Sequence, residues 1–277
     1  MHHNIEEKVM KTFLPPHLMT SFALAFDELS SNLADYVLQV AESAVKERGS
    51  FSLVLSGGDI PIRLGKLSKA PYVRLVEWSK WHVFWAEENV VPKRHPDSYY
   101  WQAKQWFISK VPLLPAHVNP VSPGLSAESA ANSYEFAIRQ QLKSRTVQVS
   151  RSTDCPRFDL FLLSLGSGGH VASLYPNQPV LEEESQWVAC VSKDESCESV
   201  TLTLPVINAA ANVTIVASGL DTARPFMDTM VGRKPIRSHP AQMVLPRDGN
   251  LVWFADASAA SLFPRANEPY ATSATDS

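Results

Sequence analysis

Phe158-Asp159-Leu160-Phe161-Leu162-Leu163-Ser164-Leu165 runs directly into Gly166-Ser167-Gly168-Gly169-His170. A near-continuous apolar run of this length predicts a strand buried on both faces, because a strand with one wet face alternates apolar and polar residues. The glycine turn ends it. The same grammar recurs upstream: residues 51–55 (FSLVL) feed Ser56-Gly57-Gly58, and residues 82–85 (HVFW) precede Glu87-Glu88. Downstream, residues 187–191, 200–204, 213–217 and 251–254 are further strand candidates. Helical spacing fills the gaps. Within residues 27–47, Leu29, Leu33, Tyr36, Val37, Val40, Ala41 and Ala44 share one face, with Asp27 as N-cap and Gly49 after the end. Residues 97–111, stopped by Pro112, and residues 126–142 read as two more helices, and the polar stretch 146–154 as a loop. Buried strands separated by helices predict an α/β fold, a mostly parallel sheet with helices on both faces.

Composition bounds the function. The chain has 277 residues, 45% hydrophobic and 19% charged, enough to bury a substantial core. A formal net charge of -3 gives no footprint for nucleic acid or an anionic membrane surface, and no apolar run is long enough to span a bilayer. Cys155, Cys190 and Cys197 lack zinc or redox spacing, and neither metal nor cofactor is expected. Free thiols and an acidic, arginine-free opening predict a cytoplasmic protein. The expected organisation is a single domain over residues 20–263, an N-terminal extension over 1–19 and a disordered tail over 264–277. The sequence leaves the oligomeric state open.

In parallel α/β sheets, ligands bind beyond the carboxyl ends of the strands. Three turns fall there: residues 56–59, 87–91 and 166–170. The last carries the strongest chemical signal. Its glycines let backbone N–H groups approach an anion, and His170 follows where the next helix is expected to begin, an imidazole able to take a proton near neutral pH. A plain tight turn followed by a surface histidine fits the same spacing. In the first turn, Asp59 suits an N-cap better than a phosphate ligand, since it would repel a dianion. Glu87 and Glu88 are adjacent on an extended chain and point to opposite faces, so they do not form a dyad. His95 and Asp97 suit a local capping role. A serine-hydrolase GxSxG elbow is absent from the sequence.

Residues 158–176, ending Gly166-Ser167-Gly168-Gly169-His170-Val171-Ala172-Ser173-Leu174-Tyr175-Pro176, resemble the signature of the 6-phosphogluconolactonase family. The Ala-Ser-Leu-aromatic-Pro tail sets that family apart from the related glucosamine-6-phosphate deaminases. Residues 53–58, the set Phe84, Trp85, Ala86, Val90, His95, Asp97, Ser98 and Tyr100, residues 201–208 and residues 240–243 match further family motifs in order. The resemblance implies a modified Rossmann-like fold and hydrolysis of a sugar-phosphate lactone without metal or cofactor. It implies that His170 activates water and that Ser56, Gly57, Gly58, Asn89, Gly168 and Gly169 hold phosphate or oxyanion. Several family positions differ. Asn89 and Ser199 stand where arginines are usual, Gly168 replaces an aspartate and Asp59 a serine or threonine. These losses raise the alternative of a weakened or inactive relative that binds a partner, with Arg63, Lys93, Arg94 or Lys193 as candidate compensating cations.

Overall fold

The computed structural model describes residues 18–23, 26–122, 126–194, 197–232 and 235–263. The expected tail 264–277 and residues 1–17 of the expected extension lie outside them. In chain order the main elements are β1 (Leu18–Ala23), α1 (Phe26–Arg48), β2 (Phe51–Leu55), α2 (Ile60–Leu64), β3 (Trp81–Trp85), β4 (Glu87–Asn89), α3 (Tyr99–Trp106) and α4 (Ala127–Lys143). Then come β5 (Gln148–Val149), β6 (Pro156–Arg157), β7 (Leu160–Ser164), β8 (Val188–Asp194), β9 (Cys197–Leu202), β10 (Asn212–Ala217), α5 (Ala223–Val231) and β11 (Asn250–Asp256).

Six strands form a wholly parallel sheet in the order β1-β11-β10-β7-β2-β3. Burial on both faces explains why its strands read as apolar runs. Leu53 and Leu55 of β2 and Leu160 and Leu162 of β7 face α1, while Val54, Phe161 and Leu163 face α4 and α5. From β2 the chain moves to β3 at one edge; from β7 it moves to β10 and β11 on the other side. The crevice between β2 and β7 is therefore the topological switch point, where α/β sheets place their ligands.

α1 buries Leu29, Leu33, Val37, Ala41 and Ala44, as its spacing predicts. It already includes Phe26, so Asp27 lies in the first turn rather than at the cap. Gly49 closes it at φ +80°, donating its N–H to the Val45 carbonyl. The helix expected over 97–111 is shorter: Ser98 caps α3, which ends at Trp106 and is followed by a 3-10 turn at Ile108–Lys110.

Other expectations are corrected. Residues 146–154 are not simply a loop, since β5 pairs antiparallel with β6. β8 and β9 stand outside the parallel sheet and form a three-stranded antiparallel sheet with β4. Asp59 stands at the N-cap position of α2 as expected, but its side chain makes no capping hydrogen bond; its carboxylate accepts from Nε of Arg63 at 2.6 Å, one helical turn on. Cys155 and Cys190 are free thiols.

Candidate active site

The turns after β2, β3 and β7 meet at the carboxyl edge of the sheet, tied together by Glu87. Its Oε1 accepts from Ser56 Oγ at 2.6 Å and from the Gly57 N–H at 3.3 Å. Its Oε2 accepts from Ser173 Oγ at 2.9 Å, just beyond the histidine turn. One buried carboxylate thus joins three loops. Ser164 Oγ adds a bond to the Gly57 carbonyl at 3.0 Å.

Glu88 points the other way, as alternation along a strand requires. It receives the N–H groups of Tyr99 and Tyr100 at 2.7 and 2.8 Å and the Ser98 hydroxyl at 3.2 Å, anchoring the start of α3. Burial raises its pKa from 4.5 to about 7, against the opposing pull of these donors. Glu87 and Glu88 do not act as a dyad: one holds loops, the other a helix end. His95 and Asp97 also serve local structure, with the Asp97 N–H donating to His95 Nδ1 at 3.2 Å.

The histidine turn is closed on itself. The Gly166 N–H donates to the His170 carbonyl, and the Gly169 N–H to the Gly166 carbonyl, both at 2.9 Å. The His170 ring lies back across Gly166, so close that a Cβ there would overlap it. Glycine is required at 166 to leave room for the imidazole. The partly exposed ring meets Tyr175 with centroids 4.7 Å apart. On the other side, Gly169 (φ +76°) lies against the ring of His239, which sits 3.9 Å from Asp228, and its carbonyl accepts from the Ala241 N–H at 3.0 Å. Neither this brace nor the linking role of Glu87 is legible in the sequence.

The six expected binding residues fare differently. Gly58 and Gly168 are exposed, and their N–H groups donate to no group among the described residues. Gly57 and Gly169 are buried with their N–H groups engaged, and the Ser56 hydroxyl is spent on Glu87. Asn89 gives its amide to the Asp97 carbonyl and accepts from Ser199 Oγ, both at 2.8 Å. The two positions at which the resemblance leads arginines to be expected are thus bonded to each other across β4 and β9. Tyr99 lies between these parts, its ring against Gly57 and its pKa raised by burial and by nearby Glu87.

The candidate compensating cations have other engagements. Arg63 is 1% exposed, paired with Asp59 and donating to Ser218 at 2.6 Å. Asp256 accepts from Ser218 and the Gly219 N–H. Burial works to raise the Asp256 pKa, but donors from Ala259, Ser218 and Gly219 and the charge of Arg63 hold it below normal. Lys93 and Arg94 lie over the rings of Tyr100 and Trp101. The Lys193 side chain lies outside the described residues. Among those residues no cluster of His, Cys, Asp or Glu could hold a metal ion, and no helix is long and apolar enough to cross a membrane.

A parallel sheet with glycine turns and a partly exposed histidine at its switch point defines a doubly wound α/β protein. The chain belongs to the family of glucosamine-6-phosphate isomerases and 6-phosphogluconolactonases, whose pattern matches residues 25–253. It is 48% identical over 248 residues to a probable 6-phosphogluconolactonase 2 of Oryza sativa subsp. indica, covering 87% of this chain and 89% of that one. It is 47% identical over 244 residues to a probable 6-phosphogluconolactonase 1 of Arabidopsis thaliana, covering 86% and 91%. The fold matches the 6-phosphogluconolactonase of Trypanosoma brucei with a TM-score of 0.75, at 23% identity over 91% of this chain and 100% of that one.

Proposed function

We propose that this protein is a 6-phosphogluconolactonase, hydrolysing 6-phospho-D-glucono-1,5-lactone to 6-phosphogluconate in the oxidative pentose phosphate pathway. The observation that carries it is the imidazole of His170, partly exposed on the glycine turn beyond β7 and backed by the Ala172-Ser173-Leu174-Tyr175-Pro176 tail. His170 takes a proton from water as that water attacks the lactone carbonyl. The N–H groups of Gly58 and Gly168 are the open donors for the oxyanion or the phosphate. When the ring C–O bond breaks, the departing ring oxygen takes the proton from His170, restoring the neutral base. The reaction needs neither metal nor cofactor.

Residues 20–263 are read as the single unit that does this. The cytoplasm is the proposed compartment: the rice relatives named chloroplastic are 39% identical, against 47–49% for those without that designation. The test is lactone hydrolysis by the purified protein, coupled to 6-phosphogluconate dehydrogenase and corrected for spontaneous opening. Removing a general base costs about 10²–10⁴-fold, so His170→Ala is expected to fall by that factor with its melting temperature nearly unchanged. Background activity in a folded wild-type protein would refute the reading and favour a binding role.

A further inference from the structure

At the opposite end of the sheet, beyond the amino ends of the strands, lies a cavity of about 970 Å³. One strand length, roughly 17 Å, separates that end from the histidine turn. The cavity forms where α1 and α4 end, and the β5–β6 hairpin walls it. Arg48, Arg145, Arg151 and Arg157 line it, with no lysine. Glu47, Asp159 and Asp248 are its carboxylates.

These charges are not all equally available. Arg48 is ion-paired with Asp159, which also accepts from the Ser52 N–H and hydroxyl, both at 2.6 Å. That pair closes the floor. Arg157 donates through Nη2 to the Asp248 carbonyl at 3.0 Å, while its Nη1 is buried with no hydrogen-bond partner. Arg145 is held at φ 61°, in the left-handed region where a helix end normally places glycine or asparagine. A strained backbone thus keeps a guanidinium on the rim.

The carboxyl ends of α1 and α4 favour nearby cations, which accounts for Arg48 and Arg145. It does not account for Arg151 and Arg157, which belong to the hairpin. Guanidinium forks match phosphate oxygens in pairs, and the volume is that of a small-molecule site. We propose that this cavity binds a phosphorylated small molecule at a site separate from the lactone site, held by Arg145, Arg151 and Arg157.

Titration calorimetry with inorganic pyrophosphate tests this on the full chain. Saturable binding at one site is expected, weakened about tenfold or more by Arg151→Gln and by Arg157→Gln. His170→Ala and saturating 6-phosphogluconate should leave it unchanged, which separates this site from the proposed lactone site. Arg151 is exposed, so if Arg157→Gln melts early, Arg151→Gln alone decides. No saturable binding, equal binding by the arginine variants, or displacement by 6-phosphogluconate would each overturn the proposal.

Discussion

At Asn89 and Ser199, where the family resemblance leads arginines to be expected, two neutral side chains are bonded to each other. The pair is directly opposite in the β4–β9 register and joined by one hydrogen bond. The two positions are not equivalent. Ser199 is fully buried, whereas Asn89 is partly exposed. An arginine therefore has room to reach solvent and ligand from 89 but not from 199. Asn89→Arg is expected to lower KM for the phosphorylated lactone about tenfold, the value of one charged hydrogen bond. Leaving the Ser199 hydroxyl without its acceptor would cost about 1 kcal/mol of stability. Ser199→Arg should instead reduce the folded fraction, since it buries an unpaired charge. Steady-state kinetics beside a urea titration checks both; an unchanged KM in Asn89→Arg would refute this account of the missing cation.

Elements obey simpler rules, and here the sequence was most legible. The end of α1 could be read from Gly49 because a helix ending in a left-handed residue selects glycine. A Cβ at 49 would meet nothing within 4 Å, so only the backbone opposes one. Gly49→Ala is thus expected to cost about 1–2 kcal/mol, seen as a lower urea midpoint with unchanged slope. A cost near zero would mean that the helix end relaxes out of the left-handed region. β8 and β9 were legible as strands but not as members of a second sheet. Their apolar residues cover the same core as α4, and an apolar run does not say which sheet it joins. β1 lacks a glycine turn to mark it, and its place beside β11 is a tertiary fact. Asp59 does occupy the N-cap position of α2, but its carboxylate serves Arg63 instead of the helix end: the i,i+4 spacing is visible in the sequence, the burial that turns Arg63 inward is not.

Across the whole molecule, the parallel sheet and the edge where its three turns meet follow from the order of apolar runs and glycine turns. The linkage through Glu87 does not, because Ser56, Glu87 and Ser173 meet only once three strands are aligned. Two groups, the buried Glu88 and the partly buried His82, give this fold a testable response to pH. Glu88, in the middle of β4, has its pKa raised from 4.5 to about 7 by burial. Its contribution is complete below about pH 4.5 and is lost as pH rises through 7. His82, on β3, stacks on His117 at 3.8 Å; burial, then His117 and Arg48, lower its pKa from 6.5 to about 4. Its contribution is complete above about pH 6.5 and is lost as pH falls through 4. Between 4.5 and 6.5 the two slopes oppose and largely cancel, so neither is visible in the wild-type curve. Each becomes visible when the other is removed. Relative to wild type, Glu88→Gln should gain stability with rising pH across that window, whatever its mean cost, and His82→Phe should lose it. Urea midpoints at half-unit steps from pH 4 to 7.5 measure both slopes. Parallel curves for wild type and either variant would show that the group titrates as it does in the unfolded chain.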